Sequence, residues 1–422
     1  MTAAHGDLEI RPATDFEPAQ FIRTTEAAFG YVATEEDVAF WATGTDWDRF
    51  LVAVDAGQVV GGGGALSLEL TVPGAGEEPF PSVPAAGVTA VGVLPTHRRR
   101  GLQRRLMAGL LAGARQRGEP VAVLTASESL IYRRYGYGLA ASFQRVNLAT
   151  PHAGFLDAVP GGGRVRLLDA GEAGKVLPGL HERCRRLRPG DVSRPPALWV
   201  RHFRDRTTDR DGGSARFDAL HESTSGEPDG YVSYRFHHRA SGEGLQDHRV
   251  RTVDLYGVDA PAHAALWRFL VELDLVDEVE VPNLPLDDPV RWRLADPRRL
   301  RTVALGDHLW VRLVDVEAAL SARRYRQVGR LGLEISASDE DPAAGRYLLE
   351  AGPDGATCRR ARKGDRVDLA LELADLGAAY LGGVAFSTLS QAGRAEERAP
   401  GGLDRADALF ASRPLPWCGT EF

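Results

Sequence analysis

From Leu51 the chain reads LVAVDAGQVVGGGGALSLEL, with apolar residues alternating with small or polar ones on both sides of Ala56-Gly57. A period of two around such a pair predicts a β-hairpin, its second strand opened by the glycines Gly61 to Gly64. The stretch TVPGAGEEPFPSVP, rich in proline and glycine, separates this hairpin from VTAVGV, residues 88–93, a short strand rich in β-branched residues. Beyond LPTHRRRG the spacing changes. Leu102, Leu106, Leu110 and Leu111 recur at helical intervals and predict an amphipathic helix. VAVLTAS, residues 121–127, reads as a further buried strand, followed by an aromatic helix and turn in SLIYRRYGYG.

A break in composition, ATPHAGFLDAVPGGGR, ends this first unit, 1–150. Between 151 and 303 the same order returns in weaker form: helical LPGLHERCRRL, the strands YVSYRF and VRTVDLYGV, then helical PAHAALWRFLVELDL. After Val258 comes Asp259-Ala260-Pro261 with no arginine cluster, so this reads as a duplicated α/β unit without the basic loop. A third unit, 304–422, opens with a strand and helix in LWVRLVDVEAALSARRY and continues through GLEISASD, GRYLLEAG and VDLALELADLGAAYLGG. That order predicts a small α+β domain with room for an apolar cleft.

With 422 residues the chain has material for two to four domains at about 100–200 residues each. Hydrophobic residues at 43% and charged residues at 26% exclude wholesale disorder. The 58 acids against 51 bases, a formal charge of −7, argue against nucleic acid as the main ligand and favour a cationic one. Only Lys175 and Lys363 are lysines, so nearly all the positive charge is arginine. Cys184, Cys358 and Cys418 are far apart with no CxxC, which excludes a disulfide framework and a zinc cluster. Neither His97, His202, His237 nor His238 has a ligand spacing, and no metal is expected. MTAAHGDLEI has no basic start followed by an apolar run, and no stretch reaches the ~20 apolar residues of a membrane helix, so a cytoplasmic location is expected.

The chemistry concentrates in Arg98-Arg99-Arg100-Gly101, between the strand and the helix. An isolated RRRG is most simply a solvated turn. At a helix N-terminus the backbone N–H groups are unpaired, the dipole favours an anion, and Gly101 allows close approach, so here it reads as a pyrophosphate cradle. Aligned as Arg98-x-x-Gly101-x-Gln103, the loop resembles motif A of the GNAT acetyltransferases, Q/R-x-x-G-x-G/A, with Gln103 in place of the last small residue. The strings VxVxPTHRRRGL and ASExxIYxRxGYG together are similar to the Eis (enhanced intracellular survival) N-acetyltransferases of actinobacteria.

The resemblance extends over the whole chain. It implies an α/β (α+β) fold of two tandem GNAT units, the second degenerate, and a C-terminal sterol-carrier-like domain, assembled as a homo-hexamer. It implies acetyl-CoA as co-substrate, Val91 and Val93 presenting backbone groups to the pantetheine and acetyl carbonyl, Arg98, Arg99 and Gly101 on the pyrophosphate, and Ser127 lining the cofactor slot.

Acetyl transfer needs a deprotonated amine and a proton for the departing sulfur. A phenol, with pKa near 10, is protonated at neutral pH and suits the second task. Tyr132, Tyr135 and Tyr137 all read equally as packing aromatics; the resemblance singles out Tyr132 as general acid and leaves the other two structural. Pro414, Pro416, Trp417 and Phe422 restrict and anchor the C-terminal segment. The resemblance assigns the base to the α-carboxylate of Phe422, since the family too ends in Glu-Phe. For the amine, AAFGYVATEEDVAFW offers Phe29, Tyr31 and Trp41 beside Glu35, Glu36 and Asp37, with Glu421 next to the terminus. The family has aromatics at Phe29 and Trp41 and an acid where this chain has Tyr31. The expected activity is direct N-acetylation of polyamine or aminoglycoside-like substrates. The alternative is a lipid or sterol carrier that works through the third domain, with the GNAT units as scaffold. Neither nucleic acid nor an integral membrane is expected as a partner.

Overall fold

The computed structural model describes residues 8–14, 17–76, 79–156, 161–240, 246–338 and 341–422. Twelve strands form one mixed sheet: β1 (Glu9–Pro12), β2 (Phe50–Asp55), β3 (Gln58–Thr71), β4 (Ser82–Val93), β5 (Val121–Thr125), β6 (Gly138–Ala149), β7 (Arg164–Leu168), β8 (Phe217–Glu222), β9 (Pro228–Ala240), β10 (Gln246–Gly257), β11 (Val276–Leu284) and β12 (Leu300–Leu313). Their order is β1-β2-β3-β4-β5-β12-β6-β11-β10-β9-β8-β7. The two halves of the chain exchange their last strands. β6 ends the first half yet pairs antiparallel with β11, Val146 opposite Val281. β12 ends the second half yet pairs with β5, Val311 opposite Val123. The strand read at the head of the third unit is the end of β12, and it lies in this large sheet.

The β2–β3 hairpin turns at Ala56 and Gly57, both at positive φ (49° and 80°), the twist that matches flanking strands. Helix α1 (Pro18–Ala28) starts with proline in its first turn and buries Phe21 and Ile22. Its Phe21 ring lies against Gly62 of β3, where a Cβ would come within 2.4 Å of the ring. The glycine run therefore admits α1 directly onto the sheet. β4 starts at Ser82, earlier than the proline-rich pattern suggests. Pro84 is tolerated because β5 begins to pair only at Ala85, opposite Val121, so Pro84 has a partner strand on one side alone.

Helix α2 (Glu35–Ala42) is opened by a capping box between Thr34 and Asp37. Helix α3 (Leu102–Gln116) buries Leu102, Leu106, Leu110 and Leu111, the face the spacing predicts. In the second half α4 (Ala170–Arg185) and α5 (Pro196–Phe203) precede β8, and α6 (Ala260–Val271) joins β10 to its parallel neighbour β11 as α3 joins β4 to β5. SLIYRRY folds as two single 3-10 turns instead of a helix.

The C-terminal unit has a five-stranded sheet: β13 (Gly329–Ser336), β14 (Gly345–Gly352), β15 (Gly355–Arg360), β16 (Leu369–Glu372) and β17 (Ala395–Glu397), in the order β15-β14-β13-β16-β17. The helix Leu373–Ala379 sits so close to β6 that a Cβ on Gly138 would fall 1.8 Å from the Ala374 carbonyl oxygen. One buried cluster joins Leu68, Val123 and Leu309 of the large sheet to Leu333, Leu349 and Leu369 of the small one, and includes Phe422. Where the sequence left room for an apolar cleft, Tyr325, Phe386 and Phe410 fill the core with edge-to-face contacts 4.9–5.6 Å between ring centroids.

Candidate active site

β4 and β5 pair only where Ala85 to Gly87 meet Val121 to Val123. β4 then runs on to Val93 with no strand on that side among the described residues. On its other edge Ala90 (φ 53°) and Val91 together oppose Gly63, a β-bulge that re-aims the backbone at this point. A cleft of about 780 Å³ opens at the gap, lined by Val91, Val93, Arg98, Arg99, Gly101, Ser127 and Tyr132, with Phe29 beside them. Seven residues that the sequence reading assigned to the cofactor and the general acid thus share one cleft.

The loop into α3 has left-handed backbone at Arg99 (φ 64°) and Gly101 (φ 75°). A Cβ at Gly101 would meet nothing within 4 Å, so it is the backbone conformation that asks for glycine. No side chain caps α3, which leaves its first-turn N–H groups to an external anion. Arg98 and Arg99 are exposed and form no ion pair among the described residues, whereas Arg100 turns away to Asp55 at 3.3 Å, which His97 also reaches at 3.2 Å. The loop therefore fits a pyrophosphate, with two of its three arginines available. Gln103 and Arg104 also line the cleft. They occupy the first turn of α3, next to the free N–H groups; the sequence placed Gln103 in the aligned loop, but neither residue was assigned to the cofactor.

Tyr132 sits between the two 3-10 turns, 6% exposed, its ring edge-on to Tyr137 with centroids 6.2 Å apart. Burial raises its pKa above the usual phenol value, with the Ser127 side chain acting in the opposite direction. Tyr137 is wholly buried and absent from the cleft wall. Tyr135, read as structural, is a cleft residue. Arg133 fixes this turn to the C-terminal unit through Asp375 and Glu372, each at 2.8 Å.

A second cavity of about 830 Å³ lies between α1, α2, α5 and the C-terminal segment, and Tyr31, Trp41 and Glu421 line it. Phe29 is apart from these three, in the cleft. The acids expected around them are largely neutralised. Asp37 accepts hydrogen bonds from Thr34, Arg204 and Arg206, which hold its carboxyl well below the usual range. Glu35 pairs with Arg23 at 2.6 Å and Glu36 with Arg206 at 3.5 Å. Glu26 also lines the cavity and was missed, because its position on α1 shows only once α1 is seated on Gly62. Seven arginines reach the cavity, six of them ion-paired: Arg194 to Asp254, Arg204 and Arg206 to Asp37, Arg210 and Arg235 to Asp205, and Arg251 to Asp211.

The second half holds the last residues of the chain in place. The Trp417 N–H donates to the Pro189 carbonyl at 2.9 Å and its indole to Asn283 at 2.6 Å. The Gly419 N–H donates to Asp191 at 3.2 Å, and Arg194 donates to the Thr420 hydroxyl at 3.0 Å and the Gly419 carbonyl at 3.2 Å. Asp191 and Arg194 are themselves fixed by Tyr256 and Asp254. Phe422 ends buried, its ring 3.3 Å from where a Cβ on Gly87 of β4 would be. In this half the α3 equivalent is closed: Asp259 caps α6 by accepting from the Ala262 N–H at 2.8 Å, a carboxylate where α3 has Gly101.

Among the described residues no helix is long and apolar enough to cross a membrane.

A GNAT acetyltransferase domain family matches residues 9–140, a second GNAT acetyltransferase domain family residues 190–313, and a sterol carrier protein domain family residues 316–419. Fold and cleft define a tandem GNAT acetyltransferase, and this fold implies acetyl-CoA as the acetyl donor. An uncharacterized N-acetyltransferase of Streptomyces avermitilis is 37% identical over 423 residues, 99% of each chain. N-acetyltransferase Eis of Mycobacterium tuberculosis is 34% identical over 410 residues, 95% of this chain and 96% of that one. The crystal structure of Eis1 from Mycobacterium abscessus matches with a TM-score of 0.86 and 32% identity, over 98% of this chain and all of the other. The chain belongs to the Eis family of GNAT N-acetyltransferases.

Proposed function

We propose that the protein transfers acetyl directly from acetyl-CoA to an amine of polyamine or aminoglycoside type, with Tyr132 as general acid and the Phe422 α-carboxylate as base. The observation that carries this reading is the convergence of the free β4 edge, the Arg98–Gly101 loop and Tyr132 in one cleft. The edge at Val91 and Val93 binds an extended amide chain as an added strand does. Arg98, Arg99 and the first turn of α3 hold the pyrophosphate. Acetyl transfer forms a C–N bond as the C–S bond breaks. The amine gives its proton to Phe422, and Tyr132 gives its own to the departing sulfur. Tyr132 is protonated at neutral pH as any phenol is, and burial moves its pKa further up, which suits that task. The acceptor enters by the larger cavity, past Tyr31, Trp41 and Glu421, with Glu26 supplying an acid on a wall where Tyr31 has none.

The test is thiol release from acetyl-CoA over a panel of amines. Release that depends on the amine and disappears in Tyr132→Phe is the expected result; fatty-acid or sterol binding with no release would favour the carrier.

For the assembly we propose a homo-hexamer. β12, in the middle of the sheet, leaves Val303 and Leu305 exposed, and Trp292 is 79% exposed on a short helix tied to Thr302 by Arg291. Such an apolar patch suits a second copy of the chain. Light scattering at micromolar concentration that gives the monomer mass would contradict it.

A further inference from the structure

We infer that Arg201 selects, within the polyamine-like class, an acceptor that also carries a carboxylate, as a basic amino acid does. The inference rests on the larger cavity being the acceptor site. Of the seven arginines that reach this cavity, Arg201 alone has a side chain with no hydrogen bond or ion pair among the described residues. It lies on α5, with its guanidinium over the Trp41 ring at 5.2 Å from the centroid. A guanidinium held over an indole keeps its fork of N–H donors for another partner, and Arg201 lines the cavity. That fork matches a carboxylate bidentately.

Burial pulls the Arg201 guanidinium below its usual pKa, and Glu421 and Glu26 act in the opposite direction without forming an ion pair with it. These two carboxylates have no ion pair among the described residues and line the same cavity. Apart from the Phe422 carboxylate, which takes up the proton of the reacting amine, the lining charges without an ion pair among the described residues are two carboxylates and one guanidinium. Their complement is a ligand with two ammonium groups and one carboxylate. A plain diamine satisfies the acids and leaves Arg201 facing a second cation, which is an unfavourable contact.

Lysine, lysine amide and 1,5-diaminopentane differ only at this carboxylate. Binding of each to the full-length protein saturated with coenzyme A is measured by calorimetry, for the unsubstituted protein, Arg201→Gln and Arg201→Lys. Lysine is expected to bind about tenfold or more tightly than its amide, the size of a charge-assisted hydrogen bond. Arg201→Gln should remove that preference by weakening lysine alone, and Arg201→Lys should recover part of it. Undiminished binding of the amide to each variant shows that the cavity is intact. Lysine binding no tighter than amide binding in the unsubstituted protein, including no binding, overturns the inference, as does a preference that survives Arg201→Gln. Thiol release with acetyl-CoA is read on the same three amines. Release without discrimination defeats only the role of Arg201. Discrimination in binding without release from any of them defeats the reading of this cavity as the acceptor site and leaves Arg201 as a carboxylate site.

Discussion

Glu26 and Phe29 stand three residues apart at the end of α1 and line different cavities, Glu26 the larger one and Phe29 the cleft beside the arginine loop. One helix end thus contributes to both cavities. The donor and acceptor responses should separate between them. Glu26→Gln is expected to raise the KM for the amine about tenfold while leaving that for acetyl-CoA within a factor of two. Phe29→Ala should do the reverse. Steady-state kinetics with each substrate varied in turn checks both, and equal effects on both substrates would mean that the two cavities do not divide them.

The arginine loop makes a sharper contrast. Replacing both Arg98 and Arg99 with Ala should raise the acetyl-CoA KM by about 10²-fold or more, since hydrogen bonds to charged groups contribute about 1.5–3 kcal/mol each. Arg100→Ala, which loses only the Asp55 contact, should change it little. Because Asp259 occupies the N-cap of α6, calorimetric titration with coenzyme A should saturate at one equivalent per chain.

For Tyr132 the expectation concerns the alkaline side of the pH profile. The acid works in its protonated form, and burial moves its pKa up from about 10, so activity should persist beyond the pH at which an ordinary phenol ionises. Tyr132→Phe should lower kcat by about 10²–10⁴ with an unchanged melting temperature. A profile that falls with a midpoint well below 10 would point to a different group.

The cofactor loop was legible in the sequence because its chemistry is local: strand, arginines, glycine and helix start follow one another directly from Val88 to Leu102. The acceptor cavity was not. Glu26, Asp37, Arg201 and Glu421 line one cavity only because α1 lands on Gly62, α5 brings Arg201 over Trp41 of α2, and the C-terminal segment is held by the second half. A charge count near Asp37 suggested an acidic wall, and nothing in the local sequence announces that Arg204 and Arg206 cancel it. The exchange of β6 and β12 was equally hidden, since a period of two says that a strand has a buried face but not which strand it pairs with. Pro84 misled in a third way, because proline in a strand depends on whether the neighbouring strand has yet begun.

The fixing of the terminus by the second half has an energetic signature. Asp254 and Arg194 are buried and 2.6 Å apart, and the pair holds Asp254 ionised well below its ordinary pKa of about 3.9. With its folded pKa lowered, this carboxylate contributes stability that is complete above about pH 4 and fades as the pH falls further. Asp254→Ala leaves Arg194 buried without its partner and should cost about 3–5 kcal/mol. Thermal unfolding measures the loss. Because Arg194 also holds Gly419 and Thr420, kcat should fall in the same variant at temperatures where it remains folded.

The most direct test of the account is whether the end of the chain and the cofactor cleft make one active site. A flexible C-terminal extension moves the Phe422 carboxylate away without removing a side chain. Compared with untagged protein of the same assembly, the extended protein should bind acetyl-CoA with nearly unchanged affinity and lose about 10²–10⁴ in kcat, measured as thiol release at saturating amine. Full kcat in the extended protein would contradict the account and move the base to Glu421, Glu26 or a water between them.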